Sequence, residues 1–294
     1  MARFSEETID SWRKPPSDAE ETKLSNAQRL VTEAIQADAT LNKMGIRVFG
    51  QGSYANDTNV RLNSDIDINV QYGGTFFYEV PKGKSGSDFG LTSSEYTFSQ
   101  YKQAVETALV NKFGRASVVR SDKCITIKET STRVEADVVP TFQHRRYLEN
   151  GSYHAGAEFR SDEGVYITNF PEQHIENGKK KNASTQRRFK RLTRIYRRIR
   201  YKMLDDNIAI SDNITSFLLE CLVWNVPDYI LNNNHTWTGR LKDSISHLYD
   251  ELGKDVSKEW GEVSELLYLF HSGRKWTRED VKLYLEQMWA YLEF

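Results

Sequence analysis

The sequence is poor in cysteine and has no long hydrophobic run. Its 294 residues include two cysteines, Cys124 and Cys221, each within an apolar segment. We therefore expect buried, reduced thiols rather than a disulfide, which is typical of a cytoplasmic protein. No apolar run approaches the roughly 18 residues that cross a bilayer, and the first ten residues carry acids, so we expect neither a membrane span nor a secretory signal. The histidines and cysteines also lack the spacing of a zinc site.

The formal net charge of −1 conceals one strongly basic segment. Apolar residues make up 38% of the chain and charged residues 28%, which is ordinary for a globular protein. Residues 179–202 contain twelve lysines and arginines and no acid, whereas 41 acids are spread over the rest of the chain. A local basic block indicates contact with a polyanion such as a triphosphate or a nucleic acid, although a solvated helix face has the same composition.

The apolar pattern predicts an α+β amino-terminal part followed by a helical part. Predicted helices span about 17–42, 94–113, 183–204, 212–226, 237–252, 257–270 and 277–293. Predicted strands span about 46–49, 65–70, 117–119, 124–128 and 134–142, and the glycine-rich stretch 73–90 is predicted to be a mobile loop or lid. Ser17 and Glu20 are expected to form a capping box, and Ser211 or Asp212 to cap the fourth helix.

Two acids alternate with apolar residues in Asp65-Ile66-Asp67-Ile68-Asn69-Val70. In a strand, this period of two places both aspartates on one face and the apolar residues on the other. Two carboxylates at this spacing can bind a divalent cation, and Mg²⁺ prefers oxygen ligands while it keeps substrate phosphates in its shell. Nucleotidyl transfer commonly uses two such ions, which require a third carboxylate.

Asp137 is our candidate for the third carboxylate, because an acid is unusual inside the apolar segment 134–140. Glu135 falls on the same face by period two, and the sequence alone does not decide between the two acids. We prefer Asp137 because it lies deeper in the apolar run. A lone Asp-x-Asp is usually a turn or surface pair, so the metal interpretation depends on the combination of pair, preceding turn and later acid.

Gly52 and Ser53 form the turn before the acid pair. Glycine lacks a Cβ, so the backbone can approach an oxyanion closely. Ser53 is predicted to begin a short helix through Asn56, so that its N–H and its hydroxyl can face a phosphate. A serine that only caps a helix would have the same sequence.

These residues resemble a known family. Gln51-Gly52-Ser53-Tyr54-Ala55-Asn56, Asp65-Ile66-Asp67 and Asp137-Val138-Val139-Pro140 are similar to the bacterial CD-NTases, which are relatives of cyclic GMP–AMP synthase within the polymerase-β-like nucleotidyltransferase superfamily. The segments 169–174 and 216–225 narrow the resemblance to the bacterial branch. It implies an α+β, polymerase-β-like core with a mixed sheet and an amino-terminal spine helix in residues 1–178, followed by a helical lobe in residues 179–294 that closes the nucleotide cleft.

The resemblance also implies an activity. Such enzymes join nucleoside triphosphates into a cyclic di- or trinucleotide for anti-phage defence and release pyrophosphate. The catalytic acids implied are Asp65, Asp67 and Asp137, which would hold Mg²⁺ or Mn²⁺. ATP is the expected substrate, with UTP or GTP as alternatives for a second one, and the implied branch makes cyclic dinucleotides that can contain uridine. The product would activate a separate downstream effector. The enzyme is expected to act in the cytoplasm and not at a membrane. The missing zinc site argues against activation by DNA.

Several substrate contacts follow from the same resemblance. Arg194 stands where relatives carry a lysine that contacts the triphosphate, and Lys190, one turn earlier, could share that role. Ser216 matches a phosphate contact and Phe217 the aromatic residue that stacks on a base, although core packing would equally explain Phe217. Asn169 lines the base pocket, where its amide could read a uracil edge.

The implied triphosphate contacts also include Gln51, Gly52 and Ser53. Two other functions remain open: a template-independent enzyme that extends RNA ends, which the basic helix would suit, and a non-catalytic nucleotide-binding regulator. Hydrolysis by a serine–histidine–aspartate triad has no support, and His174 is expected at a helix start or on the surface.

Overall fold

The computed structural model of the chain describes residues 2–60 and 65–294. These residues form two compact units. The sheet unit comprises residues 18–54 and 65–171, and the helical unit comprises residues 2–17, 55–60 and 172–294. The division of the chain into domains between residues 178 and 179 stays a prediction. Within the described ranges, no helix combines the length and the apolar character that crossing a membrane requires.

The sheet unit is built on a mixed sheet. Its strands are β1 (Arg47–Gln51), β2 (Ile66–Glu79), β3 (Val118–Arg120), β4 (Ile125–Ile127), β5 (Ala136–Tyr147), β6 (Tyr153–Arg160) and β7 (Tyr166–Asn169). The order is β1-β2-β5-β4-β3, with β6 paired to β5 and β7 paired to β6. β2 and β5 run parallel, and the other pairs are antiparallel.

Helices pack against the apolar face of the sheet in one unit and against one another in the other. Their bounds are α1 (Glu6–Trp12), α2 (Asp18–Ala37), α3 (Ala39–Lys43), α4 (Gly52–Ala55), α5 (Phe98–Phe113), α6 (Pro171–Ser184), α7 (Arg188–Asp205), α8 (Ser216–Trp224), α9 (Asp228–Asn233), α10 (Trp237–Leu252) and α11 (Arg278–Leu292). Short 3-10 helices span Gly86–Phe89, Arg115–Ser117 and Asp255–Glu259. The predicted α+β class is confirmed.

The predicted alternation of β2 is also confirmed. Ile66, Ile68 and Val70 are buried and pack with the apolar residues of α2 and α5. Because successive side chains of a strand point to opposite faces, the other face of β2 carries its polar residues. Burial of the apolar face therefore decides which way the acid of this strand points.

The helical unit has its own core around α7. The predicted stripe Phe189, Leu192, Ile195 is fully buried there and packs against α8. The polar positions between these residues carry the basic side chains of the segment. The amphipathic pattern that favoured a helix is thus satisfied by helix-on-helix packing.

The predicted loop at 73–90 is wrong over its first part. β2 continues to Glu79, and a bulge between Tyr72 and Phe76 absorbs the two glycines before pairing with β5 resumes. Pairing with a long neighbouring strand compensates for the weak strand preference of glycine. The sequence signal was local, whereas the strand is held by its partner.

The predicted helix at 257–270 is wrong beyond its first turn. After the 3-10 helix Asp255–Glu259, Gly261 and Tyr268 form an antiparallel bridge, and Leu269 N–H donates to the Trp260 carbonyl. Trp260 and Leu269 are both buried. The chain therefore folds back on itself here, and its apolar residues enter the core although their spacing is similar to that of a helix.

Two smaller expectations also change. Thr215, not Ser211 or Asp212, caps α8 by accepting a hydrogen bond from Leu218 N–H. Both cysteines are free thiols, but Cys124 is only half-buried, whereas Cys221 is buried as predicted.

Candidate active site

Asp67 and Asp137 lie side by side on adjacent strands. β2 and β5 pair in parallel with Asp67 in register with Asp137. Residues in register on neighbouring strands, which lie about 4.8 Å apart, point to the same face of a sheet. Both side chains are half-buried. The sheet therefore presents two neighbouring carboxylates on its polar face.

Thr126 holds the carboxylate of Asp137 from the other side. β4 places Thr126 in register with Asp137, and its hydroxyl donates to Asp137 Oδ1 at 2.6 Å. This bond fixes the orientation of the carboxylate. Thr126 was not predicted as a site residue, although it alternates with Ile125 and Ile127 in a predicted strand. Period two would have placed it on the polar face.

The Gly52–Ser53 turn packs directly against Asp67. Gly52 has φ +64°, and a Cβ added there would collide with the carboxylate of Asp67. Ser53 lies in the short helix α4, as predicted. The oxyanion closest to the glycine in the structure is therefore the carboxylate of Asp67, and the predicted approach to a phosphate stays a prediction.

A buried polar network continues along the same face. Gln51 is in register with Asp67 on β1, and its side-chain carbonyl accepts a hydrogen bond from Asn69 Nδ2 at 3.0 Å. Thr141 donates to Asn69 Oδ1 at 2.7 Å, and both residues are buried. The side chain of Gln51 is thus bonded to the strand that carries Asp67. Its predicted contact with substrate stays a prediction.

Asp65 lies immediately before β2 and is exposed. Across residues 2–60 and 65–294, no three histidine, cysteine or acidic side chains lie close enough together to hold a metal ion. The structure therefore brings together Asp67 and Asp137 and does not gather Asp65 into one cluster with them. Two adjacent carboxylates still fit Mg²⁺, which is commonly bound by one or two carboxylates and completed by substrate phosphates.

Asn169 is the last residue of β7, which pairs with β6. It is in register with Ala157 of β6, and the next strand position, Gly156, leaves room for β7 to approach. A Cβ on Gly156 would lie 2.7 Å from the Asn169 carbonyl oxygen. The close contact fixes where this asparagine sits relative to β6.

The helical unit places Lys190 and Arg194 one turn apart on α7, both buried. Arg194 pairs with Asp57 at 2.8 Å and donates to the carbonyl of Arg13 at 3.3 Å. Among the described residues, the Lys190 ammonium has no hydrogen bond or ion pair, and burial lowers its pKa, an effect that Asp57 partly opposes. Of the two predicted phosphate contacts, Lys190 is the less engaged.

Ser216 and Phe217 begin α8. The ring of Phe217 is half-buried and lies 5.7 Å from the ring of His174 and 6.0 Å from that of Trp276, with the Arg274 guanidinium 5.2 Å from its centre. These contacts bury part of the Phe217 ring against neighbouring side chains. The remainder is exposed, so both interpretations of Phe217 stay open.

His174 lies in the first turn of α6, at a helix start as predicted, and it is buried rather than on the surface. Its Nε2 is 3.0 Å from Glu220 Oε1, and Glu220 also accepts a hydrogen bond from Thr58 at 3.0 Å. Burial alone would raise the pKa of Glu220, but His174, Thr58 and Arg197 outweigh it and lower the pKa below its ordinary value. No local pattern signals this contact, because the partners are distant along the chain.

Known proteins resemble this chain over its whole length. The profile of the cGAS/DncV-like nucleotidyltransferase C-terminal helical domain matches residues 176–293. The cyclic dipyrimidine nucleotide synthase CdnE of Cecembia lonarensis is 61% identical over 295 residues, covering 100% of both chains. The chain belongs to the cGAS/DncV-like nucleotidyltransferases.

Solved CD-NTase structures share the fold. The CdnE cyclic dinucleotide synthase of Elizabethkingia meningoseptica, with GTP and Apcpp, has a TM-score of 0.83 at 34% identity and covers 99% of this chain and 100% of its own. The CdnE c-UMP-AMP synthase of Rhodothermus marinus, with Apcpp and Upnpp, has a TM-score of 0.84 at 27% identity, with 98% and 97% covered. The predicted polymerase-β-like core with a helical lobe is confirmed.

The predicted family and enzyme class are confirmed with the fold. This CD-NTase is a nucleotidyltransferase that joins nucleoside triphosphates into a cyclic nucleotide messenger. Enzymes of the family generally use divalent metal ions. The roles of the individual residues and the identity of the metal stay predictions.

Proposed function

We propose that this CD-NTase makes a cyclic dipyrimidine nucleotide, with UTP as a substrate, and that Asp67 and Asp137 form its catalytic centre. The observation that carries the chemistry is the register of these two acids on the parallel strands β2 and β5. The base preference is supported by the 61% identical relative, which is a cyclic dipyrimidine nucleotide synthase. A dipurine synthase is also similar, at 37% identity, so the bases require a direct test.

Mg²⁺ or Mn²⁺ would be held by Asp67 and Asp137, with Asp65 as the third ligand once substrate is bound. When bound, the metal supplies charge stabilisation for the attacking hydroxyl and the leaving pyrophosphate. Thr126 keeps the Asp137 carboxylate in one orientation through the 2.6 Å hydrogen bond. Gly52 leaves the Asp67 carboxylate the space it occupies. These residues prearrange the acids, so little reorganisation is needed on binding.

Ser53 is the proposed phosphate contact of the sheet unit, and Lys190 and Ser216 are the proposed phosphate contacts of the helical unit. Lys190 is favoured over Arg194 because the Arg194 guanidinium already pairs with Asp57. A buried ammonium that forms no ion pair with the described residues gains most from a bound phosphate, since partial desolvation strengthens the attraction. Action through an effector and a cytoplasmic site of action belong to the same proposal. Use of ATP or GTP would give a purine-containing product and is the alternative that product analysis distinguishes.

The direct test is product analysis. We would incubate the protein with labelled UTP, CTP, ATP and GTP in Mg²⁺ or Mn²⁺, then treat the products with phosphatase and linkage-selective nuclease. We expect a phosphatase-resistant pyrimidine dinucleotide, and none in EDTA. Linear products added to an RNA primer would instead support an RNA-end nucleotidyltransferase.

The acids are tested by Asp67→Asn and Asp137→Asn. Each variant should lower the rate by roughly two to three orders of magnitude or more, with an unchanged circular dichroism spectrum. Asp212→Asn is the matched control, because Asp212 is an exposed acid in the loop before α8. Normal product formation by Asp137→Asn would rule out the proposed centre.

A further inference from the structure

Asn169 lies on the same face of the sheet as the two acids. Asp137 and Gln143 are six residues apart on β5, and because this number is even, their side chains share a face. The bulge in the β2–β5 pair lies in β2 and leaves β5 continuous. Gln143 is in register with Ala157 of β6, and Ala157 is in register with Asn169 of β7. One polar face therefore carries both the acids and the asparagine.

β7 is joined to the rest of the sheet through a short stretch of β6. β6 pairs with β5 over residues 153–158 and with β7 over residues 157–160, so the two pairings share Ala157 and Glu158. We call residues 156–158 the β6 junction. Asn169 pairs with Ala157 inside this junction. The position of the junction therefore decides where Asn169 lies relative to the acids.

Gln71 bonds the strand of Asp67 to the β6 junction. It lies on β2, four residues after Asp67 and therefore on the same face, and it is buried. Its Nε2 donates to the carbonyl of Gly156 at 3.1 Å. A buried amide is costly unless it has such a partner. The bond is therefore a constraint that the folded sheet keeps.

This hydrogen bond crosses a strand. β2 and β6 both pair with β5 at Gln143, so they flank it on opposite sides. Two strands that flank a third lie roughly 10 Å apart in a flat sheet. A glutamine side chain bridges that gap only where the sheet curls towards its polar face. The Gln71 bond therefore stabilises a curl that brings β6 and β7 towards the acids.

The neighbouring polar side chain on β2 has a different role. Asn69 lies between Asp67 and Gln71 on the same face, and it bonds to Gln51 of β1 and Thr141 of β5. β1 and β5 are already paired with β2 by their backbones. The Asn69 bonds therefore reinforce pairs that exist, whereas the Gln71 bond adds a connection between β2 and β6.

The acceptor of the Gln71 bond is packed against Asn169. A Cβ on Gly156 would lie 2.7 Å from the Asn169 carbonyl oxygen and 2.9 Å from the ring of Phe170. The backbone of Gly156 thus contacts the backbone of Asn169 with no side chain between them. Because close-packed groups transmit displacements to their neighbours, a shift of Gly156 moves Asn169 with it.

We propose that Gln71 is a positioning residue for base selection. Its amide holds the β6 junction at Gly156 and so fixes where Asn169 meets a base relative to the acids. The inference rests on the proposed function and on the predicted role of Asn169 in it. Loss of the amide should relax base selection while the acids stay in place, because backbone pairing sets the register of Asp67 with Asp137.

The test is competition among four labelled nucleotides in the Gln71→Met variant, which has a side chain of similar length without the amide. Incorporation of the preferred nucleotide relative to the others should fall about threefold to tenfold, and the Mg²⁺ concentration for half-maximal activity should stay the same. Gln143→Met is the matched control, because Gln143 lies on the same face but accepts its hydrogen bond from Arg145 of its own strand at 2.7 Å. It should keep the parent ratio.

A second variant covers failure of Gln71→Met to fold. Gln71→Asn retains an amide that is one methylene too short for the Gly156 carbonyl, so the same fall in the ratio is expected. The double variant of Gln71→Met with Asn169→Ser should select bases as Asn169→Ser alone does, because Gln71 acts through Asn169.

Four results would overturn the inference: an unchanged ratio in the Gln71 variants, an equal loss for all four nucleotides, additive effects in the double variant, or an equal shift in Gln143→Met. A parent enzyme that prefers purines would contradict the proposed product instead. The expected shift of the Gln71 variants, measured relative to the parent, would then be the same, so the two failures are distinguishable.

Discussion

The carboxylate of Asp67 occupies the space that a side chain at Gly52 would need. The backbone of Gly52 has φ +64°, which favours glycine, and a Cβ at this position would meet the Asp67 carboxylate. The turn and the acid therefore depend on each other. The glycine therefore makes room for Asp67, the proposed catalytic acid, as well as shaping the turn.

Gly52→Ala should abolish most activity, because the new methyl group displaces the Asp67 carboxylate. Gly45→Ala is the matched control, since Gly45 has φ +65° but a Cβ there would have no neighbouring atom within 4 Å. Both changes should lower the free energy of unfolding by about 1 kcal/mol for the left-handed backbone. Activity assays and urea unfolding would separate the two effects. Equal activity of both variants would contradict the proposed contact.

Thr126→Val should raise the Mg²⁺ concentration needed for half-maximal activity, because the Asp137 carboxylate loses the hydroxyl that orients it. Loss of a partner beyond the ligands typically costs about 10-fold to 100-fold in metal affinity or activity. Thr126→Ser retains the hydroxyl and should restore most of the loss. An unchanged metal requirement in Thr126→Val would show that the 2.6 Å hydrogen bond is only structural.

Lys190→Met should raise KM for nucleoside triphosphate while stability stays constant or rises, because it removes a buried ammonium that forms no ion pair with the described residues. Arg194→Met should instead lower the free energy of unfolding by about 1–3 kcal/mol, since it breaks the bonds to Asp57 and the Arg13 carbonyl. Its effect on KM should be smaller. Steady-state kinetics with thermal unfolding distinguish the two roles, and a larger KM change in Arg194→Met would reverse the assignment.

Asn169→Ser should reduce incorporation of UTP relative to the other nucleotides, because serine cannot donate and accept in the pattern of an amide. Gly156→Ala should act in the same direction with Asn169 intact, since its Cβ would press on the Asn169 carbonyl at 2.7 Å. Competition assays with four labelled nucleotides measure the ratio. Unchanged incorporation in Asn169→Ser would remove Asn169 from base selection.

Glu220→Gln should destabilise the protein at neutral pH by about 3 kcal/mol, the usual scale for breaking a buried pair. Glu220 has a lowered pKa in the folded protein, so its contribution is present above the ordinary value of 4.5 and is lost as pH falls through the folded-state pKa. The difference between Glu220→Gln and the parent should shrink in acid. Urea unfolding at several pH values tests this, with Glu251→Gln, which breaks a more accessible ion pair with Lys254, as control; a gap that widens in acid would contradict it.

Periodic sequence patterns correctly predicted the strands and helices that bury one apolar face. The alternation around Asp67 and the amphipathic stripe of α7 were both readable, because one apolar face had to be buried. The strand through residues 73–79 and the turn after Trp260 were not readable, because a partner strand and a bridge between Gly261 and Tyr268 stabilise them.

The acidic strand, the glycine–serine turn and the basic helix can be predicted from local sequence, since each is encoded by residues within a few positions of one another. The register of Asp137 with Asp67, the hydrogen bond from Thr126 to Asp137 and the burial of His174 against Glu220 follow only from the folded chain. Register between strands and contact between helices depend on how distant segments pack, and no spacing along the chain encodes them.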